Sequence, residues 1–400
     1  MSRDSMAGVD AEQARAAAAA DDAFGADLYR LLGAAGENTV FSPASIAAAL
    51  RMALCGARGK TAAEIAAALH LSGPEAAGEG LRLLSGGLAG ASGAGDARDP
   101  GDGDAAVTLR APNTMWVQAG LALLPEFTGQ LREAAAVTVR HADFCTAPEK
   151  ACAEINQLIE EQTAGKITGL LGPGTIGPLT RLVLANAVYL KAAWAYPFPA
   201  HATGDAPFYP DGAGAGAAMT VQMMRHTADL SYLRGEGYQA VLLPYRASRL
   251  AMAVVLPDGP LSSLAAPLAG RGLRGLLAAA ERRRVALSMP RFRQRASFGL
   301  IPVLQQLGVD AAFTDRADFS GITVQERLVI GAVAHQAYIN VDEQGTEAAA
   351  ATAVAMRAMA VMRAPEPVTM TVDRPFLFAI IEVASGLPLF LGQVTRPAAG

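Results

Sequence analysis

The strongest constraint on the fold lies between two strand-like runs near the C-terminus. After AVAHQAYINV (332–341) comes DEQGTEAAAATAVAMRAMAVMRAPEPVTM (342–370), and then another strand-like run. Propensity alone reads the Ala tract as a helix with Thr346 as its N-cap. Alternation reads it differently. Taken every second residue, Thr346, Ala348, Ala350, Thr352, Val354, Met356 and Ala358 are uncharged, whereas Glu347 and Arg357 fall on the alternate set. In a strand these sets point to opposite faces, so one could be buried and the other wetted. The segment can therefore live as an exposed loop or as a sheet strand. Small side chains suit a strand that must slide between two existing ones.

The rest of the chain supplies a sheet for it. The run LVLANAVYL reads as a strand covered on both faces. Further strands are expected from Arg110 to Val117, Ala240 to Leu243, Arg249 to Leu256, Val285 to Met289 and Gly331 to Val341. The apolar stretch from Pro375 to Val394 is interrupted by Glu382, Gly386 and Pro388, so it reads as a buried hairpin turning at Ala384-Ser385-Gly386. Helices are expected early: one after Asp21 and Asp22, one opened by Ser42-Pro43, one with Thr61 and Glu64 as a capping box, and one from Pro148 to Thr163. The pattern is α+β in one domain, residues 21–397. Residues 1–20 are expected to form a frayed tail, 85–106 a Gly-rich surface loop and 343–368 an exposed loop.

Composition excludes several functions. With 52% hydrophobic and 18% charged residues the chain can bury a large core, and a formal net charge of −4 gives no electrostatic reason to expect nucleic acid or membrane partners. Cys55, Cys145 and Cys152 include no CxxC pair and cannot all pair within one chain, so free thiols are expected. There is no GxSxG, HExxH or GxxxxGK[ST] motif, and His70, His141, His201, His226 and His335 fall in no metal-ligand spacing. Neither an enzyme nor a cofactor is expected. The N-terminus has no apolar stretch followed by a cleavage site, which favours a cytoplasmic start, with extracellular release as the alternative.

DEQGTEAAAATA resembles the proximal hinge of inhibitory serpins, the serine protease inhibitor family. NTVFSPASI, INQLIEEQTAGKI, LVLANAVYLKAAW, LLPY, SMPRF, ADFSGI, TVDRPFLFAII and PLFLGQV resemble other blocks of that family in the right order, from about Ala23 to Pro397. The resemblance implies a fold of three β-sheets and about eight to nine helices, with 343–368 as an exposed reactive-centre loop. It also implies a monomeric suicide inhibitor of serine, or cysteine, proteases. The loop is cleaved, the protease is held as an acyl-enzyme, and the loop enters the main sheet. A non-inhibitory carrier or chaperone is the alternative.

What the family implies about individual residues follows. Glu343, Gly345, Thr346, Glu347, Ala348, Ala349, Ala350, Ala351 and Thr352 match the hinge. Counting seventeen residues from Glu343 reaches Met359. A Met359–Ala360 reactive bond would suit elastase-, chymotrypsin- or subtilisin-like targets, while the unusual length of the loop leaves Arg357 or Arg363 as trypsin-like sites. Ser42, Ser45, Asn186 and His335 match the polar cluster, or shutter, beneath the sheet's opening point. Lys191 and Trp194 match the breach, where insertion begins. Leu158 stands where the family usually has Trp and Ala192 where it usually has Gly, and neither is expected to touch the hinge. Arg282, Arg283, Arg284, Arg291, Arg293 and Arg295 read as a solvated strand face, with a polyanion site as the lesser reading.

Overall fold

The structure, a computed structural model, describes residues 3–33, 36–91, 107–133, 137–212, 214, 216–347 and 366–398. Its helices are α1 (Arg3–Leu32), α2 (Pro43–Gly56), α3 (Gly59–Ala68), α4 (Ala76–Ala91), α5 (Pro125–Glu133), α6 (Pro148–Gln162), α7 (Ala265–Leu277) and α8 (Ile301–Gln306). Ser42 accepts a hydrogen bond from the Ser45 amide at 3.2 Å, and Pro43 occupies the first turn, where a missing N–H costs nothing. Every residue of α2 is buried. Its Ala-rich surface makes a slim helix that can run through the centre of the molecule. One charged residue goes inside with it: Arg51 pairs at 2.7 Å with Asp21 of α1, both fully buried.

Three local expectations need correction. Residues 3–20 belong to α1 and do not form a separate tail: the helix begins at Arg3, Ala18 is already buried, and Asp21 lies well inside it. The Ala run that lacked a large apolar face still has the highest helix propensity, and the later turns anchor it. The Gly-rich stretch is likewise helical as far as Ala91, and residues 92–106 lie outside the described residues. The proposed capping box is also absent. Thr61 Oγ1 accepts the Asp318 amide at 2.9 Å, while Glu64 accepts the amides of Asp310 and Ala311 at 2.9 and 2.7 Å. Both side chains hold a distant loop instead of their own helix end.

The strands, numbered in chain order, divide between two sheets. The main sheet has seven strands: β2 (Thr108–Arg110), β3 (Asn113–Gln118), β4 (Val137–Ala142), β5 (Leu182–Ala193), β11 (Phe292–Gly299), β12 (Ile330–Val341) and β13 (Gly345–Thr346). Their order is β11-β12-β13-β5-β3-β4, with β2 also on β5. The strand expected from Arg110 to Val117 is split in two around Pro112, which has no N–H to give to a ladder.

The second sheet has nine strands: β1 (Thr39–Phe41), β6 (Gly204–Phe208), β7 (Met219–Gly235), β8 (Tyr238–Pro244), β9 (Leu250–Pro257), β10 (Glu281–Pro290), β14 (Val368–Thr371), β15 (Phe376–Glu382) and β16 (Pro388–Val394). Two of the three sheets implied by the sequence are continuous here. The 17-residue β7 pairs with β6 at one end and β8 at the other, with β10 alongside its length, so no break in hydrogen bonding separates them. The stretch that could mimic a membrane span forms the buried β15–β16 hairpin. No described helix is long and apolar enough to cross a membrane.

The large core lies between the sheets and around α1 and α2. A smaller one lies on the other face of the main sheet, where Ile155 and Ile159 of α6 cover Val183, Ala185 and Ala187 of β5 and Ala332 and Ala334 of β12.

Candidate functional site

β5 and β12 run parallel and pair directly from Leu182/Ile330 up to Tyr189/Tyr338. Within this ladder His335 is the register partner of Asn186, which in turn pairs with Asn113 of β3. The Ser42 amide donates to His335 Nε2 at 3.0 Å, so that nitrogen must accept and the ring proton sits on Nδ1, which donates to Asn186 Oδ1. Asn186 Nδ2 donates one hydrogen to Asn113 Oδ1 and shares the other between the Ser45 carbonyl at 3.0 Å and Ser45 Oγ at 2.5 Å. Ser45 Oγ donates to Asn113 Oδ1 at 3.1 Å. One neutral network thus ties three strands to the start of α2. Burial pushes the His335 pKa down to about 3, which keeps the imidazole uncharged.

Above Tyr189 and Tyr338 the two strands part, and β13 fills the gap. Thr346 is antiparallel to both neighbours, opposite Val341 of β12 and Ala192 of β5, while Gly345 lies opposite Ala193. Glycine is required here. A Cβ on Gly345 would stand 2.0 Å from the Ala192 carbonyl oxygen and 2.8 Å from Ala193 Cα. Thr346 is fully buried, its hydroxyl 2.6 Å from Tyr245 Oη, and the Tyr245 ring stacks on Trp194 with centroids 4.6 Å apart. Trp194 holds the incoming chain through two bonds: its amide donates to the Gln344 carbonyl and its Nε1 to the Asp342 carbonyl, each at 2.9 Å.

Ionic contacts flank the seat. Glu343 accepts from Arg291 Nε at 2.8 Å, Arg291 Nη2 at 2.5 Å and Thr203 Oγ1 at 2.5 Å. Burial pushes this carboxyl up, but those donors outweigh it and hold the group below its usual range. On the far side Glu347 forms an ion pair with Lys166, from the turn after α6, and its amide donates to the Asn340 carbonyl at 2.9 Å. Hydrogen bonding to Glu347 raises the Lys166 pKa.

Ser42, Ser45, Asn186 and His335 therefore meet in one cluster, and Glu343, Gly345, Thr346 and Glu347 meet in one seat beside Trp194. Lys191 does not join them: its register partner is Thr108 of β2. Ala348, Ala349, Ala350, Ala351, Thr352, Arg357, Met359, Ala360 and Arg363 lie outside the described residues. Ala192, expected to be clear of the hinge, is Thr346's own register partner, whereas Leu158 packs in the small core. Arg291 is not part of a solvated face, because Glu343 engages it. Asn113 and Tyr245 are residues that sequence reasoning missed. An amide side chain opening a strand whose middle, Met115-Trp116-Val117, is apolar was the available signal for Asn113, and Tyr245 ends LLPY, where its hydroxyl invites a buried partner.

Residues 19–397 match the family described as Serpin (serine protease inhibitor). The chain belongs to the serpin family. An uncharacterized serpin-like protein from Thermococcus kodakarensis is 37% identical over 382 residues, covering 95% of this chain and 85% of its own length. Leukocyte elastase inhibitor from Bos taurus is 35% identical, covering 95% of this serpin and 99% of the bovine chain. Human thyroxine-binding globulin, solved in complex with thyroxine, superposes with a TM-score of 0.83 at 27% identity, over 96% of this serpin and all of that chain. The fold is the serpin fold, and the protein is of an inhibitor family, not an enzyme.

Proposed function

We propose that this serpin is an irreversible suicide inhibitor of serine endopeptidases. One observation carries the reading: Gly345 and Thr346 already occupy the slot between β5 and β12, antiparallel to both. The residues that follow continue the uncharged alternation at 348, 350 and 352. When the protease serine attacks the scissile carbonyl and the new amine leaves with a proton, an ester ties the enzyme to the newly freed end. That end can follow Thr346 into the sheet.

The energetics favour entry. Insertion replaces one parallel ladder with two antiparallel ones, which pair somewhat better per residue. Ten to twelve residues gaining partners at about 0.5–1.5 kcal/mol net each give a drive on the order of 10 kcal/mol before ordering costs are subtracted. Inhibition is then a race between insertion and deacylation. The Met359–Ala360 bond directs this reading to elastase-, chymotrypsin- or subtilisin-like enzymes.

The test is to mix the protein with subtilisin, elastase, chymotrypsin and trypsin, look for SDS-stable complexes, and read the new N-terminus by mass spectrometry. A covalent complex with an apolar-specific enzyme and a cut after Met359 are expected, and loop-nicked protein should melt well above intact protein. Enzymes left fully active beside nicked material that melts no higher would overturn the proposal. That outcome would favour a carrier role of the kind that thyroxine-binding globulin's name describes.

A further inference from the structure

Arg293 and Arg295 are two residues apart on one face of β11, and both are exposed. With Gly165, Lys166 and Tyr338 they line a cavity of about 390 Å³ that has three cations and no carboxylate in its wall. Like charges gathered this way repel unless an anion lies among them. Their neighbours answer only part of the charge. Arg295 donates to the Lys166 carbonyl at 2.7 Å and lies 5.6 Å from the Tyr338 ring centre, and Lys166 pairs with Glu347. Arg293 has no carboxylate partner among the described residues; opposite it in the ladder is Asn340.

The register places this cavity against the hinge. Asn340 is the residue whose carbonyl accepts the Glu347 amide. Glu347 holds φ at +51°, an unfavourable region for a residue with a side chain, and its carboxylate is largely buried beside the Tyr189 hydroxyl. Its ion pair with Lys166 offsets these costs.

We propose that the Lys166–Arg293–Arg295 cavity binds a free tetrahedral oxyanion, sulfate or phosphate, which competes with Glu347 for Lys166 and so unseats Gly345 and Thr346. Several acceptor oxygens on one small ion suit three cationic donors converging from a turn and a strand, and such charge-assisted bonds are the strong ones. The coupling is reciprocal: an ion that binds better when Lys166 is free must loosen the hinge by the same factor by which a loosened hinge favours the ion. Binding itself does not depend on the inhibitory reading. Only its consequence for proteases does.

The test uses the intact chain carrying Trp116→Phe, which leaves Trp194 as the sole tryptophan, stacked on the Tyr245 ring that bonds Thr346. Inorganic phosphate is titrated against sodium chloride at equal ionic strength, with occupancy read separately by equilibrium dialysis. The expected result is saturable phosphate occupancy with a matching change in Trp194 emission, and no such change with chloride. Arg293→Gln should weaken phosphate binding about tenfold, the loss of one charge-assisted contact, while leaving the starting emission unchanged. Glu347→Gln should tighten binding, because the competitor is gone, and should shift the starting emission toward the phosphate-bound value. An equal response to chloride, a wild-type titration by Arg293→Gln, or no tightening by Glu347→Gln would overturn the proposal. So would a response that only a sulfated polymer elicits, and phosphate occupancy with unchanged emission would overturn the competition with Glu347.

Discussion

The lower and upper halves of the seam between β5 and β12 are held in opposite ways. Below Tyr189 and Tyr338 the strands pair directly, and the polar groups between them and α2 satisfy one another in a neutral, fully buried network. Above, the strands are parted by two residues of the loop, and the residues on either side of those two are held by ion pairs with partly exposed cations, Arg291 with Glu343 and Lys166 with Glu347. A buried neutral network is costly to break, because each group would lose its only partners. Partly exposed ion pairs are weaker and screened by salt. The difference teaches where the sheet can open. On the proposed inhibitory reading the top would yield to small perturbations, and the bottom would hold until a strand wedged from above supplied replacement partners.

The largest expected effect comes from putting a charge where the two halves meet. Thr346→Arg would place a guanidinium in a fully buried seat beside Tyr245 and Trp194, at a cost of about 3–5 kcal/mol or expulsion of the hinge. The variant should be cleaved by target proteases and release them active. Persistence of SDS-stable complexes in Thr346→Arg would break the comparison, because it would mean that the upper seat plays no part in insertion.

Acid should act on the lower half. Burial holds His335 down to about 3 in the folded chain, against an ordinary value near 6.5. Between these values the unfolded chain carries a proton that the folded chain lacks, so this contribution to stability is complete above about pH 6.5 and is lost progressively as pH falls toward 3. At its full extent the loss is on the order of 5 kcal/mol. Urea midpoints measured from pH 7.5 down to 4.5 should fall more steeply for the parent than for His335→Gln, and parallel curves would show that the network does not exclude the proton.

Most of this framework was legible in the sequence for a physical reason: long apolar runs such as LVLANAVYL and PLFLGQV have few solutions other than buried strands. Ser42, Ser45, Asn186 and His335 were legible through the serpin resemblance, and Ser42 also as an N-cap before Pro43. What stayed hidden were the partners themselves. Asn113 meets Asn186 across 73 residues and Tyr245 meets Thr346 across 101, and no local pattern encodes those distances. Thr61 and Glu64 show the converse, since a correct local motif gave way to tertiary contacts with residues 310–318. Ala192 looked remote from the hinge until the antiparallel register of β13 placed it opposite Thr346.

A smaller and more selective effect is expected from Gly345→Ala. The new methyl would meet backbone of β5, which cannot move aside as a side chain could, so overpacking of about 1–3 kcal/mol should lift the hinge out of its slot. The lower ladder should not feel it. Hydrogen exchange would then show protection lost at Thr346 and Glu347 while the amides from Leu184 to Val188 stay protected. Loss of protection along both segments would show that the two halves of the seam open as one unit.

The smallest expected effect isolates one bond. Tyr245→Phe keeps the ring on Trp194 but deletes the hydroxyl 2.6 Å from Thr346 Oγ1, leaving a buried hydroxyl without its partner at a cost of about 1–2 kcal/mol. Replacing both partners with apolar groups of similar shape removes that penalty, so Tyr245→Phe combined with Thr346→Val should recover much of the stability that either change alone loses. Both positions are fully enclosed, so solvent cannot substitute for the missing group. A strictly additive double mutant would mean that Thr346 is held by its two strand neighbours alone. The upper half of the seam would then be secured by backbone pairing, as the lower half is along its ladder, and the contrast between them would rest on the ion pairs at its edges.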